Sequence, residues 1–248
     1  MKILPGNCRV LSPKDGQLAT HGNCSSRDVV SSAQGARHIT QTILEYEPGR
    51  SPTLVNPTAE CVLYVVDGRG HCYIDGVAYP LKSGTGVFVP PGSEYSVAND
   101  GPGRMLVVSS CCPEDRARHT VEQPRTASGA VRRLTVQETD REVVRAGKDR
   151  EFRYLVHTDL GCRQITQFAG MIPHGKAPFH FHEYEEVIYI LQGRGVVHLD
   201  ETSCEFQAGD SIYFPKGVSH CVENTTELPI RLLGVFYPSG SPGAAYED

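Results

Sequence analysis

Four side chains could do chemistry: His180, His182, Glu186 and His220. The first three lie in the run PFHFHEYEEVIYILQGRG, the fourth in GDSIYFPKGVSHCVEN. On a β-strand, residues two apart point to the same face, so His180 and His182 would converge. Glu186 follows His182 by four residues and keeps that face if the strand continues or resumes after a short bend. Three imidazoles and one carboxylate form a mixed nitrogen and oxygen set. Such a set suits a divalent first-row metal and leaves coordination positions for water or substrate.

The elements that must position these residues appear twice. ECVLYVVDGRG at 60–70 matches EEVIYILQGRG at 185–195, and GTGVFVPPGSEYSVAN at 84–99 matches GDSIYFPKGVSHCVEN at 209–224, both displaced by 125 residues. Upstream, Ile39-Thr40-Gln41 matches Ile165-Thr166-Gln167. Downstream, Arg104 corresponds to Arg231. A register that holds within segments and slips only at loops is the mark of two copies of one fold. Each copy reads as β: short apolar runs rich in Val, Ile, Tyr and Phe, punctuated by Gly, Pro, Asn and Asp. YVVDGRGHCYIDGVAYPL carries two Asp-Gly hairpin signals. Neither half shows a sustained helical period. Two all-β units of about 75–90 residues point to small closed barrels or jelly rolls, which leave few exposed strand edges.

The expected organisation is an N-terminal extension (1–35), a first barrel without a metal site (36–111), a connector (112–150) and a second barrel with the metal site (151–248). The connector is polar and charged, with a candidate exchanged strand from Ala130 to Gln137. The extension would add strands or wrap a partner.

Bulk properties narrow the class. The chain has 248 residues, 39% hydrophobic and 21% charged, which supports a core and argues against general disorder. A net charge of −5 without a basic run argues against nucleic acid as a partner. No apolar stretch reaches the roughly 20 residues of a membrane span, and the N-terminus lacks a signal-peptide core. Cytoplasmic location and no membrane partner are therefore expected. The nine cysteines are scattered and include no C-x-x-C pair. They read as reduced, mostly buried thiols.

The second half resembles the cupin superfamily. His180, His182, Glu186 and Gly193 fit its first motif; Gly209, Pro215, Gly217, His220 and Asn224 fit its second. The opening glycine of the first motif is replaced by His174, with Gly175 following. The resemblance implies two tandem cupin (jelly-roll) β-barrels, an all-β fold. At displacement 125 the first half has Val55, Pro57, Cys61 and Tyr95 in the ligand places, so it resembles a cupin barrel without metal. The layout, with metal only in the second barrel, is similar to the ureidoglycine aminohydrolase type. That type's ligand set is Glu, His, His and Gln, and of these only His182 agrees in type and place.

Remaining candidates are placed by strand parity. Arg163 and Gln164 precede the strand leading into the motif and could contact a substrate carboxylate. Tyr189, Tyr213 and Phe168 could line the pocket, although core packing is the commoner role for such residues. His174 could sit at the rim, and His198 reads as a surface strand residue. Glu185 should point away from the metal, toward solvent or the other barrel, like its counterpart Glu60. Cys221 should point opposite to His220.

The expected function is that of a metal-dependent enzyme acting on a small polar metabolite bearing a carboxylate or carbonyl. One divalent metal per chain is expected, Mn(II) or Fe(II) ahead of Zn(II) or Ni(II). Dioxygenase chemistry is slightly favoured, because the three-His-one-Glu pattern resembles cupin oxygenases most often. Non-redox hydrolysis, isomerisation or decarboxylation is the alternative, and a non-catalytic binding module the third. A small-molecule substrate and homo-oligomeric assembly are the expected partners.

Overall fold

The computed structural model describes residues 1–114, 117–127, 131–146 and 150–243. Strands dominate, and the helical turns among the described residues are short 3-10 segments such as Ser32–Gln34 and Thr158–Leu160. Each half pairs a large sheet with a smaller one. The first large sheet runs, in spatial order, Thr135–Gln137, Thr85–Val89, Glu60–Asp67, Met105–Cys112, Thr40–Tyr46, Cys24–Val30 and Gln17–His21. The second repeats that order with Arg9–Leu11, Ser211–Phe214, Glu185–Gln192, Ile230–Tyr237, Thr166–Ile172, Arg150–Val156 and Val144–Ala146. Lys2–Ile3 adds one further strand beside Arg9–Leu11.

The two barrels exchange strands. Arg9–Leu11, from the N-terminal extension, pairs with Ser211–Tyr213 of the second barrel. Thr135–Gln137, from the connector, pairs with Thr85–Val87 of the first. The exchanged strand expected from Ala130 thus begins at Thr135; Ala130 itself lies outside the described residues. Residues 17–30 extend the first barrel's own sheet.

Local chemistry accounts for the shared motifs. Asp75 and Gly76 both have positive φ and turn the chain between Arg69–Ile74 and Val77–Lys82, as the Asp-Gly signal predicts. Gly195 is required by proximity: a Cβ there would lie 2.2 Å from the Glu223 carbonyl oxygen, and one at Gly70 would lie 1.9 Å from that of Ala98. Only glycine lets these crossing backbones approach so closely.

Alternation along Glu185–Gln192 separates two cores. Ile188 and Ile190 pack inside the second barrel with Phe168, Phe214 and Phe236. Val187 and Tyr189 face the other way, into a continuous core shared with the first barrel. Two buried carboxylates tie that interface with near two-fold symmetry. Glu60 accepts backbone N–H bonds from Arg163 (3.1 Å) and Gln164 (2.8 Å). Glu185 accepts them from Arg37 (2.8 Å) and His38 (3.1 Å). Glu185 therefore has the inter-barrel role that parity allowed.

One expectation is overturned. Cys61 and Cys111 form a disulfide, so the cysteines are not all reduced thiols. The two residues sit directly opposite on adjacent antiparallel strands, with Cα atoms 4.2 Å apart. A separation of 50 residues in sequence carries no sign of that pairing. Among the described residues, the other seven cysteines are free and buried.

Candidate metal centre

The segment carrying His180 and His182 is extended but not a continuous strand. His180 forms an isolated two-way backbone bridge with His220: His180 N–H to the His220 carbonyl at 3.0 Å, and the reverse bond at 2.8 Å. The chain bends at Glu183-Tyr184 and resumes as a strand at Glu185. Gly217 N–H donates to the His182 carbonyl at 2.9 Å, tying the second motif's turn to the first motif. Two segments 40 residues apart are thus fastened by backbone bonds at the very residues whose side chains converge.

The convergence is close. Ligand atoms of His180, His182 and His220 all lie within 4.8 Å of one another. Glu186 Oε2 lies 3.6 Å from Nε2 of His182 and 3.6 Å from Nε2 of His220. His220 Nδ1 is 2.9 Å from the Val218 carbonyl, and His180 Nδ1 is 3.2 Å from that of Pro178. Donation from Nδ1 to a carbonyl leaves the Nε2 lone pair to face the cluster. Phe214 stacks on the His220 ring with centroids 3.8 Å apart and fixes its plane.

The electrostatics of the cluster are those of buried, uncharged groups. Glu186 is 3% exposed, and its Oε2 has no hydrogen-bond partner among the described residues. Burial pushes its carboxyl up to about 8. Burial pulls His182 and His220 down to about 3, and lowers His180 as well. Without a cation, the pocket favours a neutral acid and three neutral imidazoles. An orphaned buried carboxylate oxygen facing two imidazole nitrogens is costly unless something positive fills the gap. The donor set, its spacing and that orphaned oxygen fit a divalent metal held by His180, His182, Glu186 and His220.

The cluster opens into a cavity of about 80 Å³. Its wall is mostly apolar, with Phe152, Phe168, Ile172, Leu232 and Phe236 prominent. Arg150 also lines it.

Several sequence candidates lie elsewhere. Arg163 and Gln164 are held by Glu60 at the barrel interface and do not line the cavity. Tyr189 and Tyr213 belong to the shared inter-barrel core, on the sheet face opposite Glu186. They stand at odd separations from the inward-facing Glu186 and Phe214, so alternation turns them outward. Phe168, by contrast, does line the cavity. His174 is exposed and bonded to the Thr226 carbonyl at 3.1 Å, and His198 pairs with Glu223 at 2.6 Å. The Cys221 thiol is bonded to the Ala177 carbonyl, and burial raises its pKa, which disfavours the nucleophilic thiolate.

Arg150 is the residue that sequence reasoning missed. It stands at the end of the polar, charged connector, where its sequence context assigns it no role. A signal was available: REFRYLV alternates, with Arg150 in phase with Phe152.

In the first barrel the equivalent places hold no such cluster. Tyr95 and the Cys61–Cys111 disulfide are buried in its core. Cys61 occupies the place of Glu186, and Cys111 that of Phe236, since each pair is in register across the same two strands.

Fold and site define a two-barrel cupin protein. The chain belongs to the Cupin domain family, whose sequence model matches residues 42–109 and 167–236, more than half of its length. It is 38% identical over 89 residues to an uncharacterized protein of Methanocaldococcus jannaschii, a match spanning 35% of this chain and 71% of that protein. It is 34% identical over 96 residues to the oxalate-binding protein of Thermotoga maritima, spanning 37% of this chain and 79% of that one. Among solved structures it is similar to oxalate decarboxylase from Bacillus subtilis, with a TM-score of 0.77 at 14% identity. That match covers 94% of this chain and 77% of the decarboxylase, and it is a likeness of fold.

Proposed function

We propose that this chain is a metal-dependent enzyme that carries out non-redox chemistry, decarboxylation or isomerisation, on a small carboxylate in its second barrel. The observation that carries the reading is the orphaned Oε2 of Glu186, buried against two imidazole nitrogens at the floor of a cavity lined by Arg150. A divalent metal held by His180, His182, Glu186 and His220 would supply Lewis acidity. Three nitrogens and one oxygen suit Mn(II) or Fe(II), with Zn(II) and Ni(II) also compatible. Glu186 offsets part of that charge. The imidazoles of His180 and His220 are oriented in advance by their backbone carbonyl bonds, and the apolar wall limits water around a bound acid. The names of the oxalate-binding relative and of the structurally similar decarboxylase support carboxylate chemistry over the oxygenase direction.

The test is a panel of short oxo-, hydroxy- and dicarboxylic acids given to the Mn(II)- or Fe(II)-loaded protein under nitrogen and under air. Products formed at equal rates in both atmospheres, without oxygen uptake, are expected. Product formation that requires stoichiometric oxygen would establish a dioxygenase instead. Tight binding with no product under either atmosphere would establish a binding protein.

A further inference from the structure

We infer that Arg150 is the anchor for the ligand's carboxylate, and that the ligand is a monocarboxylate with a short apolar tail, such as an alkyl 2-oxo acid. This rests on the carboxylate reading of the same metal site and specifies it.

Three observations carry the inference. First, Arg150 is 8% exposed and lines the same cavity as all four residues of the cluster. A buried guanidinium on the wall of the cavity that the cluster shares is placed to receive a carboxylate whose neighbouring oxygen would face the metal.

Second, the internal repeat supplies a control. Strand Cys24–Val30 of the first barrel corresponds to Arg150–Val156 of the second, each of seven residues with a register shift at the same place. Cys24 therefore stands where Arg150 stands. The barrel with Val55, Pro57, Cys61 and Tyr95 in the ligand places has a neutral thiol at this point, and the barrel with the cluster has the cation. A cation needed only to complete the fold has no reason to accompany the metal residues.

Third, the rest of the wall selects the group attached to the carboxylate. Among the described residues Arg150 is the single Lys or Arg side chain lining the cavity. Phe152, Phe168, Ile172, Val222 and Leu232 offer hydrocarbon. A second carboxylate would turn one oxygen to the metal and leave the other desolvated against these side chains without a partner, whereas an alkyl group there gains by burial. A cavity of about 80 Å³ has room for about five to eight water-sized groups, which limits the tail to a few carbons.

The test loads the full chain with Co(II), whose visible absorption reports ligands reaching the metal, and titrates it with 2-oxobutanoate, oxalate and neutral imidazole. In the wild type, 2-oxobutanoate should bind at least about fivefold tighter than oxalate. Arg150→Gln should weaken 2-oxobutanoate about tenfold or more, change imidazole less than about twofold, and be partly rescued by Arg150→Lys. Oxalate binding as tightly as 2-oxobutanoate in the wild type would overturn the apolar-tail assignment, a comparison that needs no variant. Equal losses for 2-oxobutanoate and imidazole in Arg150→Gln would reduce Arg150 to a structural residue. Failure to take up Co(II) would instead refute the metal reading beneath both.

Discussion

Glu186→Gln should stabilise the metal-free protein while abolishing tight metal binding. In the folded chain the Glu186 carboxyl is pushed from 4.5 to about 8 by burial alone. In the unfolded chain it ionises normally. A raised folded pKa means that its contribution is fully present below about 4.5 and is lost as pH rises toward 8. At pH 7 the ordinary carboxyl lies 2.5 units below the solution pH, so keeping the buried group protonated costs roughly 3 kcal/mol at about 1.36 kcal/mol per unit. At pH 5 the same reasoning leaves less than about 1 kcal/mol. Glutamine has nearly the shape of the protonated acid and cannot ionise, so it removes this cost. His182 and His220 are neutral in both proteins over this range, and their contributions cancel. Urea denaturation with a chelator present should therefore show Glu186→Gln more stable by roughly 3 kcal/mol at pH 7 and nearly equal to wild type at pH 5. With saturating metal the order should reverse, because metal stabilises only the folded state that binds it. A variant less stable than wild type in chelator at pH 7, or a gain of the same size at both pH values, would refute the account of Glu186 as a desolvated, metal-awaiting carboxylate.

Other outcomes rest on the same geometry. Metal loading between pH 6 and 8 should release one proton, from Glu186, since His182 and His220 are already neutral there. Apparent affinity should then rise by about tenfold per pH unit toward pH 8, and calorimetry in two buffers of different ionisation enthalpy would expose a flat profile if Glu186 is already ionised. His182→Ala should lose the metal and keep the fold, whereas Tyr95→Ala should leave metal content unchanged by elemental mass spectrometry; metal loss in the latter would contradict a single site. The Cys61–Cys111 disulfide bridges a separation of 50 residues, and its chain-entropy contribution is about 4 kcal/mol. Cys111→Ser should therefore lower stability by up to that amount under non-reducing conditions, and an unchanged denaturation midpoint would show that the crosslink contributes nothing.

The cluster was legible in the sequence because its information is local. His180, His182 and Glu186 lie within seven residues, and the repeat at displacement 125 marks His220 as the residue that the first barrel replaces with Tyr95. Short β-prone runs, Asp-Gly turns and the doubled motif likewise sufficed for an all-β chain of two barrels. Parity placed Glu185 away from the cluster, and applied to Tyr189 and Tyr213 it would have sent them to the inter-barrel core as well.

Only the tertiary structure decided what depends on distant segments meeting. Glu60 takes the N–H groups of Arg163 and Gln164 into the barrel interface, although their position ahead of the motif suggested the pocket. Cys61 and Cys111 become neighbours because two strands pair in one register out of many. Arg9–Leu11 and Thr135–Gln137 cross to complete opposite barrels, a pairing set by which sheet edge lies within reach. Arg150 changes from a connector charge to a cavity residue because its strand pairs with Thr166–Ile172, which puts it in the same cavity wall as Phe168 and Leu232. Strand alternation is a property of the chain, readable residue by residue. Strand pairing and the cavity it encloses are set by the free energy of the whole packed assembly, and no local run of sequence carries that sum.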